Sequence, residues 1–179
     1  MWRSLPGGLI MESDWYAVYT RSYHEQKLVD CIKKLSDDST FEYEAYLPTV
    51  MEETQWSDRK KKKSVPLFKN YVFVKHDDNG FGKIKRLPGF CDYVRFEAYP
   101  AIIKQEQIVM IKNALEFSEV GIASKKLMKG ERVKICHGPM KDYEGILVED
   151  QQNSKVAIEV EYFNQCLLIN VVHDNLIKI

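Results

Sequence analysis

The residues of this chain that could carry catalysis or hold a metal ion are scattered along the sequence. Its histidines and cysteines are His24, His76, His137, His173, Cys31, Cys91, Cys136 and Cys166. They form no His-Glu-x-x-His or Cys-x-x-Cys pair, the spacings at which such side chains bind a metal. Asp77-Asp78-Asn79-Gly80 lacks the alternating ligands of a calcium loop, and Gly80-Phe81-Gly82-Lys83 lacks the Ser/Thr end of a phosphate loop. The sequence therefore predicts no catalytic, metal or cofactor site, and we expect a protein that binds partners.

The most specific pattern lies in residues 130–145, Gly-Glu-Arg-Val-Lys-Ile-Cys-His-Gly-Pro-Met-Lys-Asp-Tyr-Glu-Gly. Val133 and Ile135 alternate with charged residues, as in a half-buried strand. Gly138-Pro139 marks a turn, because glycine allows a positive φ and proline fixes φ near −65°. After Gly145 the apolar residues resume. This pattern predicts a strand, a turn and a second strand.

Upstream, the apolar periodicity alternates between strands and helices. Strands are predicted at 15–20, 41–47, 71–74 and 93–96, and helices after Ser22, near 81–87 and at 105–117. Ser22 and Glu25 have the spacing of a capping box, in which each side chain satisfies a backbone group of the other at a helix start. The remainder, from Gly130 onwards, is almost entirely strand-like. We therefore expect an α+β domain followed by a small β-barrel.

Composition restricts the class of protein further. The 179 residues are 45% hydrophobic and 29% charged, and the formal net charge is zero, so no global positive field attracts nucleic acid. No apolar run reaches the 18 residues that a membrane span needs. The scattered cysteines are expected to be free thiols in a reducing compartment, which predicts a cytoplasmic protein. The predicted divisions are a disordered extension at 1–13, a first domain at 14–117, a linker at 118–129 and a barrel at 130–179.

These motifs together resemble the NusG family of transcription factors. Residues 130–145 are similar to a KOW motif, which opens an SH3-like barrel. Trp15-Tyr16-Ala17-Val18 resembles the opening of the family's N-terminal (NGN) domain, and residues 66–74, Pro-Leu-Phe-Lys-Asn-Tyr-Val-Phe-Val, resemble its Phe-Pro-x-Tyr-x-x-Val signature. Lys69 stands where the family usually has proline. The resemblance implies an NGN-like antiparallel sheet flanked by helices, followed by the barrel. The signature is closest to the specialised RfaH and UpxY members, which act as antiterminators on particular long operons, often for polysaccharides.

The resemblance implies that the first domain binds the clamp region of RNA polymerase through Phe68, Tyr71 and Phe73. Aromatic anchors of this kind often dominate protein interfaces. Strand alternation places Tyr71 and Phe73 on one face and Val72 and Val74 on the other. Both faces are apolar, so one can meet the domain's helices while the other is left for a partner. The alternative is that the aromatic residues simply line the core.

The resemblance also implies contact with the non-template single-stranded DNA of the transcription bubble. The matching residues are Arg21, Tyr23, His24 and Lys27, and a second basic group comprises Lys83, Lys85 and Arg86. Arginine pairs with phosphate or guanine, and tyrosine and histidine can stack on an unpaired base. The alternative is ordinary helix-start chemistry. The basic run at 59–63 is expected at a hairpin tip, as a phosphate-binding or merely solvated loop.

In the barrel, the resemblance assigns partner binding to Tyr162 and Phe163. Family relatives use this loop to contact ribosomal protein S10 or the termination factor Rho. Two adjacent side chains in an extended chain cannot both face one core, so a partner patch and simple packing both stay open.

We therefore predict a monomeric elongation factor that suppresses pausing and termination on particular operons. Two alternatives stay open: a housekeeping NusG, or a KOW-containing module that binds RNA or the ribosome. The zero net charge argues against the last of these.

Overall fold

The computed structural model describes residues 13–37, 42–55, 60–117, 119–124 and 130–179. Its first part contains strands β1 (Asp14–Thr20), β2 (Glu44–Tyr46), β3 (Thr49–Gln55), β4 (Lys60–Pro66), β5 (Tyr71–His76), β6 (Phe90–Tyr93), β7 (Arg95–Phe96), β8 (Tyr99–Pro100) and β9 (Ile102–Ile103), and helices α1 (Glu25–Asp37), α2 (Gly80–Ile84) and α3 (Gln105–Phe117). Its second part contains strands β10 (Val120–Ser124), β11 (Arg132–Ile135), β12 (Glu144–Glu149), β13 (Asn153–Val160), β14 (Gln165–Val172) and β15 (Leu176–Lys178). The predicted α+β class with antiparallel sheets is confirmed.

The first sheet has the order β2-β5-β1-β6, with β9 also paired to β1. Its central pair is antiparallel, with Tyr16 opposite Val74 and Val18 opposite Val72. These four side chains lie on one face and pack against Leu28, Ile32 and other apolar residues of α1 and α2. Strand alternation sends the neighbouring residues to the opposite face. The predicted separation of the two faces is therefore confirmed.

The opposite face of the first sheet belongs to a hydrophobic cluster that continues into the barrel. Trp15, Ala17 and Phe73 join it from the sheet, and α3 contributes Ile108 and Ile111. From the barrel it includes Val133, Val156, Phe163 and Leu167. One apolar core thus joins the two parts of the chain.

Helix α1 begins differently from the prediction. Glu25 does not close a capping box with Ser22; its Oε1 accepts a hydrogen bond from the backbone N–H of Asn70 at 2.9 Å. Asn70 has φ 68°, a left-handed turn just before β5. The predicted capping box of Ser22 and Glu25 is therefore wrong, because the Glu25 carboxylate binds the backbone N–H of Asn70 instead.

Strands β3 and β4 form a two-stranded hairpin of their own. Lysines 60–63 lie along β4, rather than at the hairpin tip as predicted, and Arg59 lies outside the described residues. Lys63 is opposite Glu52 and Lys62 is opposite Glu53. Opposite charges across a ladder stabilise each other, so Glu52 and Glu53 partly offset the charges of Lys63 and Lys62.

The second sheet has the order β10-β14-β13-β12-β11-β15. The predicted strand, turn and strand correspond to β11 and β12, with Gly138 at φ 86° in the turn between them. At Gly145 a Cβ atom would lie 2.6 Å from the carbonyl oxygen of Ala157, so strand β13 can approach this closely only beside glycine. Val120–Ser124, predicted as part of the linker, forms strand β10.

Among the described residues, no helix is long and apolar enough to cross a membrane.

Candidate functional site

An aromatic pocket is built where the chain enters strand β5. It consists of Phe68, Tyr71 and Phe73, the three residues predicted from the sequence. The backbone N–H of Tyr71 donates to the carbonyl of Phe68 at 3.2 Å, which closes the turn before the strand. Phe68 and Phe73 meet edge to face with centroids 5.8 Å apart. The turn and the strand alternation together bring the three rings to one side of the sheet.

The aromatic pocket is filled by Phe163 of the barrel. Its ring centroid lies 5.4 Å from Phe68, 5.0 Å from Tyr71 and 5.4 Å from Phe73. Phe163 is only 8% exposed. Aromatic pairs at such separations are favourable beyond the area that they bury. The residues predicted to bind one partner in the first domain and another in the barrel therefore contact each other.

Polar contacts beside Phe163 come from α3 and the residue before it. The backbone N–H of Glu161 donates to Oε1 of Gln107 at 3.2 Å, and Lys104 Nζ lies 3.4 Å from Glu161 Oε1. The helix start is itself fixed, since Trp15 Nε1 donates to Gln105 Oε1 at 2.8 Å. No sequence motif marks Lys104 or Gln107, so these contacts were missed. Their roles follow only from how the two parts of the chain pack.

Tyr162 lies on the other side of the same turn. Its φ is 68°, it is 42% exposed, and its ring meets that of Phe96 at 5.7 Å. The left-handed conformation turns the chain between the two aromatic residues. The barrel loop thus places the ring of Phe163 in the aromatic pocket, while the partly exposed ring of Tyr162 lies against Phe96 of the first domain.

The environment of the aromatic pocket is apolar. Burial, with a smaller contribution from Tyr19, raises the pKa of Tyr71. Burial alone raises the pKa of Tyr46, whose ring stacks on Phe73, to about 12. Both hydroxyls stay protonated at neutral pH, so the pocket offers neutral rings and suits an apolar or aromatic ligand.

A second candidate site, here called the basic corner, comprises Arg21, Tyr23, His24 and Lys27. Tyr23 is 93% exposed and has φ 62°, a conformation that is uncommon for a bulky residue. Arg21 and Lys27 are also exposed, whereas His24 is partly buried and its Nδ1 lies 3.1 Å from the carbonyl oxygen of Ser22. A strained backbone that holds an aromatic ring in solvent is a feature found at binding sites. Local sequence gives no sign of this conformation.

The loop at Gly89 supports the basic corner. The backbone N–H of Arg21 donates to the carbonyl of Gly89 at 2.9 Å. A Cβ atom on Gly89, which has φ 90°, would lie 2.7 Å from Cβ of His24. Only glycine fits there without displacing the histidine.

The second basic group is divided. Lys85 and Arg86 are exposed and lie shortly before Gly89 in the chain. Lys83 instead places its Nζ 5.5 Å from the ring centroid of Tyr43. The chain thus links Lys85 and Arg86 to the basic corner through the Gly89 loop, while Lys83 has a cation–π contact elsewhere.

Comparison with known proteins decides the family. The family model described as "Transcription termination factor nusG" matches residues 13–112, more than half of the chain. The chain belongs to the NusG family. Members of this family are transcription termination and antitermination factors, not enzymes.

The similarity extends over both parts of the chain. A transcription termination/antitermination protein NusG from Helicobacter pylori is 26% identical over 173 residues, which cover 93% of this chain and 98% of that protein. The Bacillus subtilis NusG is 24% identical, covering 87% and 92%. A solved structure described as "Domain interaction in Thermotoga maritima NusG" matches with a TM-score of 0.60 and 25% identity, covering 94% of this chain and 98% of that one. The NusG-like fold thus spans the barrel as well as the first domain.

Proposed function

We propose that this NusG-family chain binds RNA polymerase at its clamp region through Phe68, Tyr71 and Phe73. The observation that carries the proposal is the filled aromatic pocket: three rings hold the ring of Phe163 at 5.0–5.4 Å. A surface that accepts one aromatic side chain in this way is suited to an apolar anchor from a partner. Binding there would favour the processive polymerase and disfavour pausing, a population shift rather than a chemical step.

This proposal makes polymerase binding depend on movement of the barrel. Polymerase and Phe163 would compete for the same three rings. The apparent affinity is then the intrinsic affinity reduced by the fraction of molecules whose pocket is open. The docked form is the one described by the structure, so an event that releases the barrel would activate the chain.

The second contact in the proposal is non-template single-stranded DNA at the basic corner. The exposed ring of Tyr23 offers a stacking platform, with Arg21 and Lys27 for phosphate. His24 and, through the Gly89 loop, Lys85 and Arg86 support the same surface. Lys83 contributes less, because it is engaged with Tyr43.

For the barrel we propose a protein partner, ribosomal protein S10 or Rho, that binds the loop of Tyr162 and Phe163. In the docked form only Tyr162 is available to it, since Phe163 is buried. The chain would act in the cytoplasm as a monomer.

We further propose operon-specific antitermination, as in the RfaH and UpxY members, including on polysaccharide operons. The covered pocket supports this, because a factor that needs a releasing event acts only where that event occurs. A housekeeping NusG is the second candidate, and the full-length similarity to NusG proteins favours it. Transcription run-off on many templates separates them: an effect confined to templates with one upstream element indicates the specific factor.

Binding to an elongation complex tests the polymerase site. The complex is assembled from RNA polymerase of the source cell on a scaffold with an open bubble. Phe163→Ala should raise the apparent affinity roughly tenfold or more, because burying a phenylalanine ring contributes about 1.5–3 kcal/mol to the docked form. Tyr162→Phe is the matched control, since this neighbour lies outside the pocket and the substitution keeps the ring that meets Phe96; it should leave polymerase binding unchanged. Adding Tyr71→Ala to Phe163→Ala should then abolish the gain.

Three results would contradict the proposal. Equal affinity of the wild type and Phe163→Ala would show that the pocket is not the polymerase site. The same conclusion follows if Tyr71→Ala has no effect in the open variant. Tight binding to RNA or ribosomes without any binding to the elongation complex would instead favour the RNA- or ribosome-binding module.

A further inference from the structure

We propose that strand β10 is a strap that holds the barrel against the aromatic pocket and can detach while the barrel stays folded. Among the described strands, β10 occupies an outer position of the second sheet and has β14 as its one partner. It follows α3 of the first domain directly, with only residues 118 and 119 between them. Its pairing therefore fixes the barrel to the first domain through the backbone, in addition to the side-chain contact of Phe163.

The geometry places both ends of this connection at the same turn. Gln107, in the first turn of α3, accepts a hydrogen bond from Glu161. At the other end of the connection, Ser124 of β10 lies opposite Gln165. Glu161 and Gln165 flank the turn that carries Phe163.

The lengths of the two elements agree with this arrangement. Helix α3 has 13 residues, which at 1.5 Å per residue gives about 20 Å. Strand β10 has 5 residues, which at 3.3 Å per residue gives about 17 Å. The helix leads the chain away from the Phe163 turn, and the strand brings it back over a similar distance.

Strand β10 is weakly attached compared with the neighbouring strands β13 and β14 of the same sheet. All five of its residues are half-buried, and Val120 and Ile122 pack against the core as partly buried residues rather than as members of it. Gly121 and Ala123 have little side-chain surface to bury. By contrast, β13 and β14 pair over eight residues, from Asn153 opposite Val172 to Val160 opposite Gln165. The order β14-β13-β12-β11-β15 remains complete when β10 leaves.

Detachment changes the length of the tether between the domains. With β10 paired, two residues connect the barrel to α3. With β10 detached, about 14 residues do so, giving an end-to-end distance of roughly 20 Å for a flexible chain. Since effective concentration falls as about the −3/2 power of tether length, Phe163 would meet its pocket on the order of tenfold less often. The inference concerns the chain itself and does not depend on the polymerase site.

The test compares the motion of the two domains in the full-length chain by ¹⁵N NMR relaxation. Ile122→Pro/Ala123→Pro should detach β10, because N–H groups of successive residues point to opposite sides and one of the two must face β14. Ile122→Val/Ala123→Ser is the matched control that keeps the strand. Phe163→Ala serves as the reference for a chain whose pocket contact is lost.

The wild type and the control should show one rotational correlation time for both domains. The proline variant should show shorter and different times for each, with the chemical shifts of β13 and β14 unchanged. A proline variant that still tumbles as one body would overturn the strap. So would loss of the barrel's dispersed spectrum, which would make β10 an integral strand, or separate tumbling in the wild type.

Discussion

The aromatic pocket and the basic corner lie on the same small domain but are kept in opposite states. The pocket is neutral and is filled by a ring from the barrel, whereas Tyr23 in the corner stands 93% exposed. An apolar surface gains by burial, so it is stable only when something covers it. The basic corner, with charged groups around one ring, is stable when it is exposed to solvent. Binding at the aromatic pocket can thus be controlled by an element that covers it, whereas binding at the basic corner cannot.

The largest expected effect is on stability, and it comes from Phe73 of the aromatic pocket. Phe73→Ala should lower the free energy of unfolding by roughly 3–5 kcal/mol, because this fully buried ring also belongs to the domain core. Urea denaturation measures it, with Phe73→Leu as the milder control. If Phe73→Ala cost no more than a surface substitution, the pocket would not be part of the core. Partner binding should therefore be tested through Tyr71, which is less buried.

In the basic corner we expect an effect on binding without an effect on stability. Tyr23→Ala should weaken binding of single-stranded DNA by about 1–3 kcal/mol, the contribution of one stacked base. Fluorescence anisotropy with a labelled oligonucleotide measures it, and Tyr23→Phe is the control that keeps the ring. The melting temperature should not fall, since the exposed ring makes no packing contribution. Unchanged affinity in Tyr23→Ala would remove the corner from the DNA site.

A smaller effect, on the pH dependence of stability, is expected from His76, which is buried on the face of the first sheet that packs against α1 and α2. His76 Nδ1 lies 2.6 Å from the carbonyl oxygen of Asp77 and its Nε2 lies 3.1 Å from the hydroxyl of Tyr93, so the neutral ring is satisfied at both nitrogens. Burial lowers the pKa of His76 despite nearby carboxylates. The unfolded chain then binds the proton more readily, so stability is complete above about pH 6.5, the ordinary histidine value, and falls as the pH drops below it.

Denaturation midpoints at pH 7.5 and pH 5.0 check this expectation. The wild type should lose stability between the two values, and His76→Gln should lose less. An equal loss in both proteins would assign the pH dependence to other groups. Binding at the pocket should not follow this titration, since His76 lies on the opposite face of the sheet.

The smallest effect is expected from the ion pair beside the Phe163 turn. Lys104→Ala should change docking by less than about 1 kcal/mol, because the Lys104 side chain is 65% exposed and that of Glu161 is 38% exposed, so solvent screens the pair. Gln107→Ala is the comparison, since it removes the hydrogen bond to the Glu161 backbone. Domain tumbling by NMR reports both. A larger loss from Lys104→Ala would mean that charge, rather than the aromatic contact, holds the barrel.

Much of the fold followed from periodicity, which is a local property. Helix α3 was predicted at 105–117 and is found there, because its apolar residues recur at helical spacing without interruption. Alternation likewise separated Tyr71 and Phe73 from Val72 and Val74. Strand β10 was not predicted, because its five residues are all half-buried and its sequence therefore shows no alternation between a buried and an exposed face.

What covers an apolar face is not a local property. The pattern of β5 predicted that one face would be left for a partner, but it could not show that Phe163, about 90 residues later, would fill it. The same limit applies to Glu25, whose partner Asn70 lies 45 residues away. The left-handed φ of Tyr23 was also hidden, because nothing in its neighbours requires it.

Phe163 also has a consequence for how separate ligands influence each other. This single ring closes the aromatic pocket and belongs to the proposed partner surface of the barrel, so each surface is hidden by the other. A ligand that captures the open pocket must leave Phe163 available, and a ligand that captures Phe163 must leave the pocket available. By thermodynamic reciprocity, each would then raise the affinity for the other by the same factor, although the two never touch.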